Sequence, residues 1–171
     1  MAGRIVRLRS RRLEDAADEY RWRTDEEMCR LDATTPIDLT YPEFMERHFV
    51  ELEYPGLTYT LAIDALDGRH IGNCSMFNFD ILNNSAETGI LIGEKAYWDR
   101  GYGSDALNTF LQHVFDTSSI QRVMLRTLDW NQRAQKCFEK CGFRPSGSLA
   151  KGEYNFILME IRQPQLLAGN H

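Results

Sequence analysis

Three β-rich runs in succession, LTYTLAIDA (57–65), HIGNCSMFNFDIL (70–82) and AETGILIG (86–93), lead into a glycine loop that opens an amphipathic helix. No other feature limits the possible folds so tightly. LDGR (66–69), between the first two runs, is a turn signal, so the runs read as an antiparallel meander. The loop lies in YWDRGYGSDAL (97–107), where Gly101, Gly103 and Ala106 have the spacing G-x-G-x-x-A. Tight glycines let a backbone approach a diphosphate, and a helix N-terminus adds free amides and a favourable dipole. The helix that follows carries Leu107, Phe110, Leu111 and Val114 on one apolar face.

Upstream, RIVRLR (4–9) alternates apolar and charged residues as a half-buried strand does. SRRLEDAADEYRWRTDEEMCRL (10–31) predicts a helix with Leu13, Ala16, Ala17 and Tyr20 at helical spacing, and YPEFMERHFVELE (41–53) a second with Phe44, Met45, His48, Phe49 and Leu52 on one face. Downstream, RVMLRTL (122–128) is a strand. NQRAQKCFEKCGF (131–143) is a helix with Ala134, Cys137, Phe138 and Cys141 on one side and Gly142 placed to end it. FRPSGSLA (143–150) and EYNFILMEI (153–161) close the chain as strands. The predicted fold is mixed α/β, a largely antiparallel sheet flanked by helices, with one domain over residues 1–162 and a tail over 163–171.

A chain of 171 residues has the length to bury one core. No apolar run approaches a membrane span, and MAGRIVRLRSRRLEDA is too charged for a secretory leader, so a cytoplasmic protein with no membrane partner is expected. Cys29, Cys74, Cys137 and Cys141 show no C-x-x-C pair and no histidine at ligand spacing. Reduced core thiols are therefore expected, and no metal. A net charge of −5 argues against a nucleic-acid partner. That charge is uneven: residues 13–100 hold 19 acids and 7 bases, residues 101–171 hold 8 bases and 6 acids. Such a division suits an anionic cofactor beside a cationic substrate.

Two phosphate-binding readings compete for the glycine loop. In a dinucleotide fold, Asp129 would be the ribose-binding acid about 20 residues on. Against this, the glycines should follow their strand directly, yet Glu94 to Arg100 intervene, and antiparallel hairpins stand where that fold has none. WDRGYGS instead resembles the signature loop of the GNAT superfamily of acyl-CoA N-acyltransferases, with Trp98 at the position where the broad pattern has Gln or Arg. That tryptophan is similar to the branch of ribosomal-protein N-terminal and polyamine acetyltransferases. NQRAQKCFEKCGF resembles the family's next motif, and RIVRLRSRRLEDA its first strand and helix entry.

The resemblance implies a sheet with a splayed central strand pair, acetyl-CoA as co-substrate, no metal, and attack of an amine on the acetyl thioester. It allows a homodimer. It places the coenzyme's diphosphate on the loop formed by Trp98, Asp99, Arg100, Gly101, Tyr102, Gly103 and Ser104. It assigns the oxyanion and the pantetheine arm to the backbone of Leu91, Ile92 and Gly93, with Asn131 contacting the same arm. The attacking amine must be neutral although its ordinary pKa is near 10.4. Glu87, on the strand that lines the family's site, would take the proton directly or through water. Phe138 occupies the position where many members carry a tyrosine acid; it cannot donate a proton but can pack on the coenzyme. A thiol of pKa about 8.5 leaves tolerably without help. Asp25, Glu26, Glu27 and Asp32 are expected to line an acceptor pocket that attracts cationic amines, first the α-amine of a peptide or protein and alternatively a polyamine or aminoglycoside. A coenzyme-A-binding sensor without turnover is the reading from another class, and Phe138 is its support.

Overall fold

The computed structural model describes residues 1–163. The tail expected over 163–171 lies, beyond Gln163, outside the described residues. The elements run β1 (Val6–Ser10), α1 (Ala16–Thr24), α2 (Glu26–Leu31), α3 (Tyr41–Glu53), β2 (Tyr59–Ala65), β3 (His70–Asp80), β4 (Ser85–Ile92), α4 (Tyr102–Thr117), β5 (Arg122–Leu128), α5 (Gln132–Lys140), β6 (Arg144–Lys151) and β7 (Tyr154–Arg162). The seven strands form one sheet in the order β1-β2-β3-β4-β5-β7-β6, antiparallel throughout except between β4 and β5.

That parallel pair is short. Ser85, Ala86 and Glu87 stand opposite Arg122, Val123 and Met124, and the ladder then ends. β4 continues five residues to Ile92 and β5 four to Leu128 with no rung between them. The two strands therefore splay, and a wedge opens in the middle of the sheet.

Alternation along the strands sorts the two faces. Val6, Leu8, Leu61, Ile63, Met76, Ala86 and Val123 are buried under α4, whose Leu107, Phe110 and Leu111 are fully buried against them. Burying each such side chain stabilises the fold by about 1.5–3 kcal/mol. The stripe read on α4 is the stripe that packs.

The other face is covered by α1, α2 and α3, and here the expected stripes fail. The single helix expected over 10–31 is two helices. Asp25 takes an extended conformation between them, and its Oδ1 accepts from Met28 N at 2.9 Å as the cap of α2. Leu13 is 40% exposed, and the buried side of α1 is Ala16, Glu19 and Trp22. Glu19 is buried because Arg11 grips it through two hydrogen bonds (2.9 and 2.6 Å) while Asn73 of β3 donates to it at 2.9 Å. Arg9 likewise grips Asp15 at 2.8 and 2.7 Å and reaches Asp64 at 2.7 Å. On α3 only Phe44 and His48 are buried, and Phe49 faces outward.

Candidate active site

A cavity of about 1060 Å³ fills the wedge between β4 and β5. Its two halves lie on opposite faces of the sheet, because side chains alternate along each strand.

On the α4 side the floor is Ile90 and Ile92, and the wall is the glycine loop with the first turns of α4 and α5. Gly101 precedes α4 with φ of +85°, a conformation that suits glycine and turns the chain into the helix. The amides of the first helical turn, from Tyr102 on, have no acceptor within the helix and are free to meet an anion. Gly103 is open for a different reason: a Cβ on it would stand 3.4 Å from Cys137 Sγ and 3.7 Å from Ile92 Cγ1. Trp98 closes this end, donating from Nε1 to the Ile92 carbonyl at 2.7 Å, with the Arg133 guanidinium 3.6 Å from its ring centroid. Lys136 and Lys140 also line this half, so it carries a cluster of cations at the mouth of a helix N-terminus. Asn131 caps α5 by accepting from Ala134 N at 3.2 Å, and it lines the cavity as well. Phe138 is buried against Phe143, ring centroids 6.1 Å apart, and shows one side to the cavity.

Three expected cofactor contacts change. The Gly93 amide donates to Ile71 O of β3 at 2.8 Å, and a Cβ on Gly93 would overlap the Trp22 ring at 2.0 Å. Gly93 is thus a packing glycine behind the site and does not line the cavity. Polar groups of a strand alternate sides with the same period, so Leu91, two residues earlier and opposite Asn73, also turns its amide to β3. The amides that face the wedge are those of Ile90 and Ile92, one residue out of register with the Leu91 assignment. Arg100 folds away, its guanidinium bonding the Ala96 carbonyl at 3.1 Å and packing beside the Tyr97 and Tyr102 rings. Asp99, Gly101, Tyr102, Gly103 and Ser104 all line the cavity.

On the opposite face, Glu87 sits where the ladder ends. Asn78 Nδ2 donates to its Oε1 at 3.1 Å, and Arg126 Nη2 is 3.9 Å from Oε2. Around it stand Phe77, Met28, Leu31, Asp32 and Thr34, together with Glu153, Tyr154 and Phe156 from the β6–β7 hairpin. Of the four acids expected here, only Asp32 lines the cavity. Asp25 and Glu27 are tied to Lys95 Nζ at 2.8 and 2.7 Å, and Glu26 is exposed elsewhere. The sequence reading missed Glu153, which the hairpin turn at Gly152 (φ +60°) carries into the site. Asp32 is exposed at the rim of the cavity; the protein packed around its carboxyl still pushes it above the usual carboxylate range, with Arg23 opposing the shift. This half therefore holds three carboxylates (Asp32, Glu87, Glu153) among aromatic rings, with Arg126 and Lys151 at its edge.

A groove lined by Arg133, Lys136 and Lys140 at a helix N-terminus and a pocket lined by Asp32, Glu87 and Glu153 meet through a gap in the sheet. The family model described as acetyltransferase (GNAT) domain matches residues 6–144. The chain belongs to the GNAT acetyltransferase family. Among solved structures it is similar to spermidine N-acetyltransferase from Vibrio cholerae in complex with CoA and spermine, at 18% identity and a TM-score of 0.84, covering 95% of this chain and 98% of that one. It is also similar to aminoglycoside acetyltransferase AAC(6')-Ib with coenzyme A (16% identity, TM-score 0.79, 95% and 98% covered) and with ribostamycin and coenzyme A (15% identity, TM-score 0.80, 98% of each chain). At these identities the likeness is one of fold.

Proposed function

We propose that the protein is a cytoplasmic N-acetyltransferase for a small polycationic amine of the polyamine or aminoglycoside kind. The observation that carries this reading is the acidic, ring-lined pocket around Glu87, opposite the free amides of α4. Carboxylates among aromatic faces suit several ammonium groups on one acceptor. The α-amine of a peptide, expected first from the sequence, gains no support: similar solved structures are complexes with spermine, ribostamycin or kanamycin.

In the reaction, the α4 N-terminal amides and Lys136 and Lys140 hold the diphosphate and phosphate charge, and Ile90 and Ile92 pair with the pantetheine arm through the wedge. The amine nitrogen attacks the thioester carbonyl from the Glu87 side, and a C–N bond forms. A wedge-facing β4 amide steadies the oxyanion. The C–S bond then breaks and the thiolate leaves with the bonding pair. Glu87 takes the amine proton directly or through one water, and Asn78 and Arg126 fix its orientation. Phe138 gives no acid, so the thiolate departs unassisted by that position.

The test is thiol release from acetyl-CoA with spermidine, kanamycin and a peptide with a free N-terminus as acceptors. Turnover with either small amine, and at least tenfold lower kcat/KM for the peptide, is expected. A preference for the peptide overturns the acceptor assignment. Binding of acetyl-CoA with no turnover on any amine favours the sensor reading.

A further inference from the structure

Thr127 is a polar side chain that the fold buries and leaves without a partner. It is 5% exposed, it lines the cavity, and among the described residues no group bonds its hydroxyl. Thr88 and Ser104, in the same half, are engaged: Thr88 Oγ1 donates to the Ser75 carbonyl at 2.9 Å, and Ser104 Oγ lies 3.4 Å from Cys137 Sγ. A buried hydroxyl without a hydrogen bond costs free energy, so one left free in a cavity wall marks a ligand contact. Its place in the sheet says which part of the ligand it meets. Val123 and Leu125 point into the core under α4, and Thr127, next in the alternation, points the same way, while Arg126 points to Glu87. The parallel ladder pairs Ala86 with Val123; continued past its last rung, the same register sets Thr127 across the gap from Ile90. Phe138 flanks this half from α5, buried and with no group to donate.

We propose that the Thr127 hydroxyl is the hydrogen-bond donor to the coenzyme's sulfur as the thiolate leaves. This role rests on the proposed reaction, in which the thioester lies in the wedge beside Ile90. An alcohol is too weak an acid to protonate the anion of a thiol of pKa about 8.5, so Thr127 keeps its proton. When the C–S bond breaks, the sulfur takes the bonding pair, and the O–H of Thr127 points at the new charge. The amine proton goes to Glu87, and the thiolate takes a proton from water after it leaves. A bond that strengthens only as the sulfur becomes charged favours the transition state over the bound thioester. Thr127 thus supplies at the sulfur what Phe138 cannot.

Thr127→Val removes the hydroxyl and keeps the branched shape, and Thr127→Ser keeps the hydroxyl. No protein group loses a partner in either, so the fold should survive. In the binding arm, coenzyme A and desulfo-coenzyme A, which has no thiol, are titrated calorimetrically from about pH 7 to about pH 10, across the thiol's ionisation. The ratio of their affinities cancels the ionisation of Glu87, Cys137, Lys136 and Lys140, which both ligands meet alike. In the wild type and Thr127→Ser the preference for coenzyme A should grow with pH by about tenfold more than in Thr127→Val, the size of one hydrogen bond to a charged group. Desulfo-coenzyme A should bind all three proteins within about twofold. In the rate arm, single-turnover thiol release with the best small-amine acceptor should be slower by about tenfold or more in Thr127→Val and within about threefold of wild type in Thr127→Ser. Equal growth of the preference in wild type and Thr127→Val overturns the role, as does a wild-type rate in Thr127→Val. Equal weakening of both ligands in Thr127→Val also overturns it, because the hydroxyl then serves the pantetheine arm. A wild type that binds neither ligand removes the coenzyme site and this role together. With binding but no turnover on any amine, the acceptor reading falls and the binding arm alone decides for or against Thr127.

Discussion

Gly103→Val separates the steric demand of the loop from its conformational one. Gly103 is the second residue of α4 and has a helical backbone, so valine meets no dihedral penalty there. What valine meets is Cys137 Sγ at 3.4 Å and Ile92 Cγ1 at 3.7 Å from its Cβ, before its two methyls are added. The methyls have only the cavity side to occupy, where the diphosphate approaches the first-turn amides. A hydrogen bond to a charged group contributes about 1.5–3 kcal/mol, and displacing the anion from two such amides costs about 3 kcal/mol or more. That is roughly a hundredfold in Kd. Gly101→Ala is the control: its Cβ would meet nothing within 4 Å, but φ of +85° costs about 1–2 kcal/mol of stability. Calorimetric titration with desulfo-coenzyme A, on variants shown folded by circular dichroism and thermal melting, reads both. The expected pattern is weak binding at a nearly normal Tm for Gly103→Val and the reverse for Gly101→Ala. Unchanged affinity in a folded Gly103→Val protein refutes the reasoning.

Two further predictions concern charge. His48 is buried, with Nε2 2.9 Å from the Arg12 carbonyl and Nδ1 3.3 Å from Glu19. Burial and the Arg11 guanidinium, 3.0 Å from Nδ1, work against its charged form, but the bonds to Glu19 and Arg12 outweigh them and raise its pKa above 6.5. A raised pKa gives stability that is full below about 6.5 and is lost as pH climbs through the folded value. The Tm should therefore fall on the alkaline side of that range and His48→Gln should lack this fall; parallel Tm profiles contradict it. In the acceptor pocket, screening shortens the reach of the carboxylates to about 8 Å at physiological ionic strength. KM for a polycationic acceptor should rise with salt, and a KM indifferent to salt would remove Asp32 and Glu153 from the recognition.

The sequence carried the parts of the fold that obey a local period. The α4 stripe, the strand over 122–128 and the end of α5 at Gly142 (φ +96°) were legible because burial there is apolar and continuous. The stripe of α1 was not, because its buried positions include Glu19, whose partners Arg11 and Asn73 come from elsewhere in the chain. The break at Asp25 carried a readable sign, a capping aspartate three residues before Met28, yet the surrounding helix formers masked it. At the site, the family resemblance pointed to the loop and to Glu87, and Gly101, Gly103 and Glu87 line the cavity. The one-residue offset from Leu91 to Ile90 and Ile92 did not, because which amides face the wedge depends on the β3–β4 register, and a slip of one residue exchanges the sides. Glu153 was invisible for a similar reason: only the turn at Gly152 brings it across to the pocket.

The central claim is that acetyl transfer takes place at the splay of β4 and β5, with Glu87 as the base. The pH dependence of kcat for the best small-amine acceptor, compared between the wild type and Glu87→Gln, tests it most directly. The glutamine keeps an acceptor for Asn78 and nearly the same shape, so binding and fold should survive. The account predicts a kcat lower by roughly 10²-fold or more, with a flattened acid limb. A Glu87→Gln enzyme with the wild-type rate and an unaltered profile would contradict it.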